Sequence, residues 1–331
     1  MRQMTPTTTL PPLSVPATAM APGAGMPAGS RASLDGLTLI RIDGAEAPAF
    51  LQGQFTNDVD ALAPARWHWT GYCSARGRLL TIGRLLRNGP VFHLEVPVEL
   101  RDDLLTRLRR FVMRSRVALW PLTPSWQAVA LAGPGAIAAA AQELGASFAG
   151  DQGVLALPAA VMLAVGAGRA HLYFDADAMP RLATVTGALA DDASAADWRA
   201  TDLRAGVPWI AAATQDAFVP QMVDFDVIGG VSFTKGCYPG QEIVARSRYL
   251  GEVKRRLHFC RTDTIAAAGA AIDAGGQTVG KVLASMPSDA GGYEVLAVID
   301  GEAAKGTDLL IAGVGTPAYE VRRARPPVAS G

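Results

Sequence analysis

Hydrophobic and polar positions divide the chain into short apolar runs separated by turns, with one clear helical stripe. Leu37-Thr38-Leu39-Ile40-Arg41-Ile42 predicts a strand, which Asp43-Gly44 turns into a short helix through Phe50 and Leu51. Leu79 to Leu86 predicts a second strand, Asn88-Gly89 a tight turn, and Val91 to Val96 the returning strand. Leu100, Leu104, Leu105, Leu108, Phe111 and Val112 follow at helical spacing, with Arg101, Arg107, Arg109 and Arg110 largely off the stripe. A second unit begins with a strand at Ala128–Leu131, ended by Gly133-Pro134-Gly135. An Ala-rich helix to Leu144, strands at Val154–Leu157 and His171–Phe174, and a helix near Arg181–Leu189 complete it. Ala195–Leu203 predicts a further helix, stopped by Gly206 and Pro208. From Leu257 onward short strands alternate with Gly-rich turns, Tyr293–Ile299 being the clearest, and predict a small β-barrel or sandwich. Strands and helices mix without steady βα alternation, so the fold class expected is α+β.

Composition narrows the function classes. The 331 residues suffice for about two domains, and half of them are hydrophobic. Thirty Lys and Arg balance thirty Asp and Glu, which excludes nucleic-acid binding through bulk charge. Basic residues still cluster locally, at Arg107, Arg109, Arg110, Arg114 and Arg116, and again at Arg246, Arg248, Lys254, Arg255 and Arg256. If these surfaces meet they attract a polyanion such as RNA. Three cysteines exclude a disulfide framework and fit a reducing compartment. No apolar run approaches the roughly 18 residues of a membrane span. Residues 1–30 are rich in Pro, Thr, Ala and Gly and predict a disordered leader. A soluble, cytoplasmic protein is the expectation.

Candidate chemistry is concentrated in one stretch. Cys73, Cys237 and Cys260 are far apart and the four histidines form no ligand set, so no metal site is expected; His258 and Cys260 share a strand face as a buried pair. Gly133-Pro134-Gly135 lacks the spacing of a phosphate-binding loop. In Lys235-Gly236-Cys237-Tyr238-Pro239-Gly240-Gln241-Glu242, Pro239-Gly240 suits the centre of a type II turn, and Gln241 to Tyr249 predicts a helix closed near Gly251. Cys237 is then held before a helix N-terminus, two residues after a lysine, where a dipole and an ammonium both favour thiolate. A buried loop cysteine is the alternative. Trp198 and Asp202, four apart, share one helix face; the indole either stacks on a flat heterocycle or fills core.

Lys235–Glu242 matches the K-G-C-Y-x-G-Q-E signature of the YgfZ family of folate-binding proteins, relatives of the glycine-cleavage T-protein. Phe50–Val59, Cys73–Leu80 and Ala205-Gly206-Val207-Pro208 leading to Phe218-Val219-Pro220-Gln221 resemble the same family. The resemblance implies two α+β domains and a C-terminal β-barrel in a ring, with tetrahydrofolate or a one-carbon derivative in a central cavity. The domains expected are 31–125 (completed by 200–252), 126–199 and 253–331. It implies a functional Cys237, assisted by Lys235, and folate contacts drawn from Trp198, Gln54, Asn57, Asp202, Gln221, Tyr238, Gln241 and Glu242. The chain departs from the pattern at Leu37, where the family carries a second tryptophan, and at Arg204, where T-proteins carry a pterin-binding Glu. Asp202, Asp224 and Asp226 are the candidate replacements. An apolar Leu79–Ile82 run stands where T-proteins place an acid, which argues against glycine cleavage. The function implied is an accessory role in iron–sulfur cluster assembly or repair and thereby in tRNA modification. Its partners would be iron–sulfur enzymes such as radical tRNA-thiolating enzymes, with RNA contacted through the Arg clusters. A folate-dependent one-carbon transferase using Cys237 is the rival, and an interaction scaffold the third reading.

Overall fold

A computed structural model describes residues 29–324, apart from 114, 149, 167, 191–193, 250–252, 307 and 313–314. The leader up to residue 28, Arg114 and Gly251 therefore lie outside the described residues. The chain begins with β1 (Arg31–Ser33), β2 (Leu37–Asp43), α1 (Ala47–Gln52), β3 (Arg66–Cys73), β4 (Leu79–Asn88), β5 (Val91–Pro97), α2 (Arg101–Val112) and β6 (Ala118–Pro121). Five of these strands form an antiparallel sheet in the order β3-β4-β5-β2-β6. The β4–β5 turn is centred on Gly89-Pro90, one residue beyond its predicted place, because Asn88 still pairs with Val91.

One face of this sheet, through Ile40, Ile42, Leu85 and Leu94, packs against Leu104, Leu105 and Leu108 of α2 and Phe50 and Leu51 of α1. Phe111 shares the stripe by spacing, yet in the helix's last turn it is 54% exposed. The other face, through Leu39, Trp67, Trp69 and Leu86, meets the rest of the molecule. Burial on both faces removes the polar alternation that marks a half-buried strand. That is why β3 is not legible in the sequence.

The second unit comprises β7 (Trp126–Ala132), α3 (Pro134–Glu143), β8 (Val154–Leu157), β9 (Ala160–Ala164), β10 (Arg169–Asp175), α4 (Pro180–Gly187) and α5 (Ala195–Arg204). Its sheet runs β1-β7-β10-β9-β8. Strand β1 thus belongs to this second sheet, pairing Arg31 with Leu131 and Ser33 with Val129. The chain passes from this sheet to the first across 34–36. Val129, Leu131, Met162 and Leu172 face α3 and α4, while Ala130, Val161, Leu163 and Tyr173 face the first sheet. Helix α5 starts at a capping box in which Ser194 Oγ accepts from the Asp197 amide and Asp197 Oδ2 accepts from the Ser194 amide.

Residues 205–240 run between the sheets with little regular structure, burying Phe218, Val223, Phe225 and Val231. Then come α6 (Gln241–Tyr249), β11 (Arg255–Thr262), β12 (Ala271–Ala274), β13 (Gln277–Pro287), β14 (Tyr293–Asp300), β15 (Leu310–Ile311), β16 (Thr316–Pro317) and β17 (Tyr319–Arg323). The strands make one curled half-barrel in the order β16-β15-β12-β13-β14-β11-β17, bent at register shifts near Ile272/Asp273 and Val282/Ala284. The expected C-terminal barrel is therefore an open curled sheet. Its Leu257, Phe259, Leu296 and Val298 join the central core, while Cys260, Ile272, Val295 and Ile299 build a separate one. His258 and Cys260 are both buried, as their alternation predicts. No helix among the described residues is long and apolar enough to cross a membrane.

Candidate functional site

The loop that carries Cys237 is built from two turns packed against each other. Gly240 sits at φ +78° and Gly77, in the β3–β4 turn, at φ +67°. A Cβ on Gly240 would fall 2.6 Å from Gly77 Cα, and one on Gly77 would fall 2.8 Å from Ile243 Cβ. Only glycine fits either position, so the Pro239-Gly240 turn is clamped onto the hairpin. Beside it, Gly230 packs against Phe225 with no room for a side chain.

Lys235 anchors the same loop from below. Its buried ammonium donates to the carbonyls of Gln52 (2.6 Å), Phe55 (2.6 Å) and Asn57 (3.0 Å), at and just beyond the end of α1. Burial pushes its pKa down to about 8, which leaves it protonated at neutral pH. All three protons are committed to carbonyls, so none is directed at Cys237. Tyr238 is buried with its ring 5.3 Å from that ammonium, and burial raises its phenol pKa. Cys237 itself is exposed.

Thr56 and Asn57 stitch 229–232 to β3. Thr56 Oγ1 donates to Gly230 O and accepts from the Gly71 amide, and Asn57 Nδ2 donates to Trp69 O and Gly229 O. Gln221 donates to Val244 O, Gln241 makes a long 3.5 Å contact with Lys235 O, and Glu242 is exposed on the first turn of α6. Gln54 Oε1 and Gln221 Oε1 are buried without a partner.

Trp198 and Asp202 belong to a second constellation, between the two sheets. Strand register sets Arg84 opposite Glu95, and Arg84 Nη1 donates to Glu95 Oε2 at 2.5 Å. Glu95 Oε1 accepts from Tyr173 (2.8 Å) and from His171 Nδ1 (2.5 Å), while His171 Nε2 accepts from the Trp198 indole at 3.0 Å. That donor fixes the tautomer: Nδ1 carries the proton and the ring is neutral, consistent with burial lowering its pKa. Burial alone would raise the Glu95 pKa, but His171 and Arg84 more than offset it and hold it at about 2. The Arg84 guanidinium lies 4.3 Å from the Trp69 ring and just over 5 Å from Trp67 and Trp209. Arg169 lies 3.9 Å over the Trp198 ring and donates to Asp202, whose other oxygen accepts from Trp209. The constellation is closed: Trp198 is 2% exposed, with its N–H and one face already used.

A groove of about 530 Å³ opens behind this network. Leu34, Leu37, Val98, Leu122 and Trp126 supply its apolar lining, Arg31, Asp35 and Arg101 its charges, and Tyr173 connects it to Glu95. Folate demands a flat apolar face, polar groups for the pteridine edge and cations for its glutamate; Trp126, then Thr38 and Gln127, then Arg31 and Arg101 offer these within the usual 300–1,000 Å³ of a ligand site. The donor set fits. Leu37, where the family has a tryptophan, is a groove residue, whereas none of the eight sequence-predicted folate contacts lines it. Those eight residues fall into the two constellations above, joined where Asn57 holds the backbone of Trp69. The sequence signal that was missed is Glu95, a charge inside the apolar run Val91–Val96. Of the candidate acids, Asp224 is buried and paired with Arg256 and Arg323, whereas Asp226 Oδ1 is buried without a partner, and burial raises its pKa. Arg204 pairs instead with Glu294 and Asp289 of the C-terminal sheet region. Among the described residues no group of three His, Cys, Asp or Glu side chains is placed to hold a metal ion.

No protein-family model matches the chain. It is 34% identical over 241 residues to the tRNA-modifying protein YgfZ of Edwardsiella ictaluri, covering 69% of this chain and 70% of that one. It is 32% identical over 229 residues to the protein of the same name in Yersinia pestis, covering 69% of each. Among solved structures, the glycine cleavage system aminomethyltransferase T of Bartonella henselae shares the fold, with a TM-score of 0.67 over 87% of this chain and 83% of that one at 16% identity.

Proposed function

Because the chain belongs to the YgfZ family of tRNA-modifying proteins, we propose that it serves tRNA modification as a tetrahydrofolate-binding accessory protein acting through iron–sulfur enzymes. The tRNA-modification role rests on the curated relatives. The iron–sulfur role is carried over from the signature at 235–242. The ligand reading rests on one observation, the groove between β1, β2 and β7, on a fold shared with an aminomethyltransferase.

In this reading Trp126 and Leu37 flank the flat heterocycle and Gln127 and Thr38, which also line the groove, meet its polar edge. Arg31 and Arg101 take the glutamate carboxylates, where a planar guanidinium pairs bidentately. Trp198 then acts through the network, by holding His171 and so Glu95 and Tyr173. Trp126→Ala should weaken tetrahydrofolate binding at least tenfold in calorimetry, while Trp198→Phe changes it much less. Absence of binding heat at millimolar ligand overturns the folate reading, and the opposite ranking of the two variants moves the site to the central constellation. In a cell lacking its own family member, the wild type should restore cluster-dependent tRNA thiolation and Trp126→Ala should not.

A further inference from the structure

We propose that the surface around Cys237 is an RNA-binding face that contacts the sugar–phosphate backbone of tRNA directly. This rests on the tRNA-modification reading, but not on folate binding. Three separate elements build the surface. Helix α2 contributes Arg107, Arg109 and Arg110, the β3–β4 turn contributes Arg76 and Arg78, and α6 contributes Arg246 and Arg248.

The fold joins these elements. Arg107 and Arg110 both lie near enough to Tyr72 and Asp103 to act on them electrostatically. Arg107 also acts on Asp216, to which Arg76 is paired. Gly77, next to Arg76, packs against Gly240 and Ile243, and Arg246 lies three residues beyond Ile243 on the same face of α6.

Among the described residues, seven guanidinium groups therefore share this region with five carboxylates, Asp102, Asp103, Asp216, Asp226 and Glu242, in a chain of zero net charge. The excess is local, and it consists wholly of arginine, which matches phosphate bidentately. Arg76 is 77% exposed despite its ion pair. Flat and apolar side chains lie among the cations: Phe111 is exposed beside Arg110, Ile243 is 38% exposed, and Phe233 carries Arg248 at 4.1 Å over its ring. Cations set beside the exposed Phe111 ring and the half-buried Phe233 ring suit an RNA backbone and its unstacked bases. Cys237, exposed on the loop clamped to the turn that carries Arg76, reports on occupancy of the face.

The test is fluorescence anisotropy with an unmodified tRNA transcript. Arg76→Gln, Arg110→Gln and Arg246→Gln should each weaken binding severalfold and lower the slope of log affinity against log salt by about 0.7–0.9. The triple charge reversal to Glu should abolish binding, and bound tRNA should protect Cys237 from maleimide. Absent wild-type binding, unchanged affinity in the variants, or undiminished Cys237 labelling would each overturn the proposal. Calorimetry of the same variants with tetrahydrofolate separates the two readings. Lost tRNA binding with retained folate heat supports the face, whereas tRNA binding without any folate heat removes the folate reading alone.

Discussion

Glu95→Gln should cost the folded protein about 3–5 kcal/mol, read as a lower urea midpoint at pH 7. The glutamine cannot neutralise Arg84, a residue only 2% exposed, and an uncompensated buried charge dominates the loss. Its amide also brings donor protons to a place where Arg84, His171 and Tyr173 all donate. Tyr173→Phe removes only one hydroxyl and should cost about 1 kcal/mol. The Glu95 carboxyl also carries a pH signature. Its pKa is held at about 2, below the ordinary value of 4.5, so the stability it provides is complete above pH 4.5 and disappears as pH falls toward 2. Glu95→Gln should lack this component of acid destabilisation. A variant as stable as wild type, with the same acid profile, would show that the network carries no net weight.

Lys235→Met should be the second most damaging change, at about 3 kcal/mol. Methionine matches the length of the stem but donates to none of the three carbonyls, and the Phe55 carbonyl contact is buried. The loop bearing Cys237 loses its anchor to α1, so limited proteolysis within 232–240 should accelerate along with the fall in the urea midpoint. Lys235→Arg should not restore stability, because a planar fork cannot replace one ammonium aimed at three converging oxygens. Unchanged proteolysis in Lys235→Met would mean that the clamp between Gly77 and Gly240 holds the loop by itself.

These two residues show what a sequence reveals and what it withholds. The turn at Pro239-Gly240 is legible because its cause is local: proline sets one dihedral and glycine accepts the next, and Gly240 does adopt positive φ. The stripe of α2 is legible for the same reason. The partners of Lys235 are not, since they lie about 180 residues away and are backbone atoms. Arg84 and Glu95 are likewise eleven residues apart on neighbouring strands, and only the β4–β5 register makes them a pair. The shared face of Trp198 and Asp202 was readable, but Arg169, which joins them, comes from another element. Lys235 and Cys237 are two apart in sequence, yet the lysine side chain turns inward to the end of α1 while the cysteine is exposed, which spacing alone does not reveal.

Strand β1 has a consequence for how the chain is handled. It closes one margin of the second sheet by covering β7, and only 34–36 separate it from β2 in the first. A polypeptide trimmed to start at Leu34 would retain every residue of both α+β cores except Ala32, yet would present the backbone of β7 as an open template. Self-association through that bared strand, visible as dimers in sedimentation, is the expected fate of such a truncation.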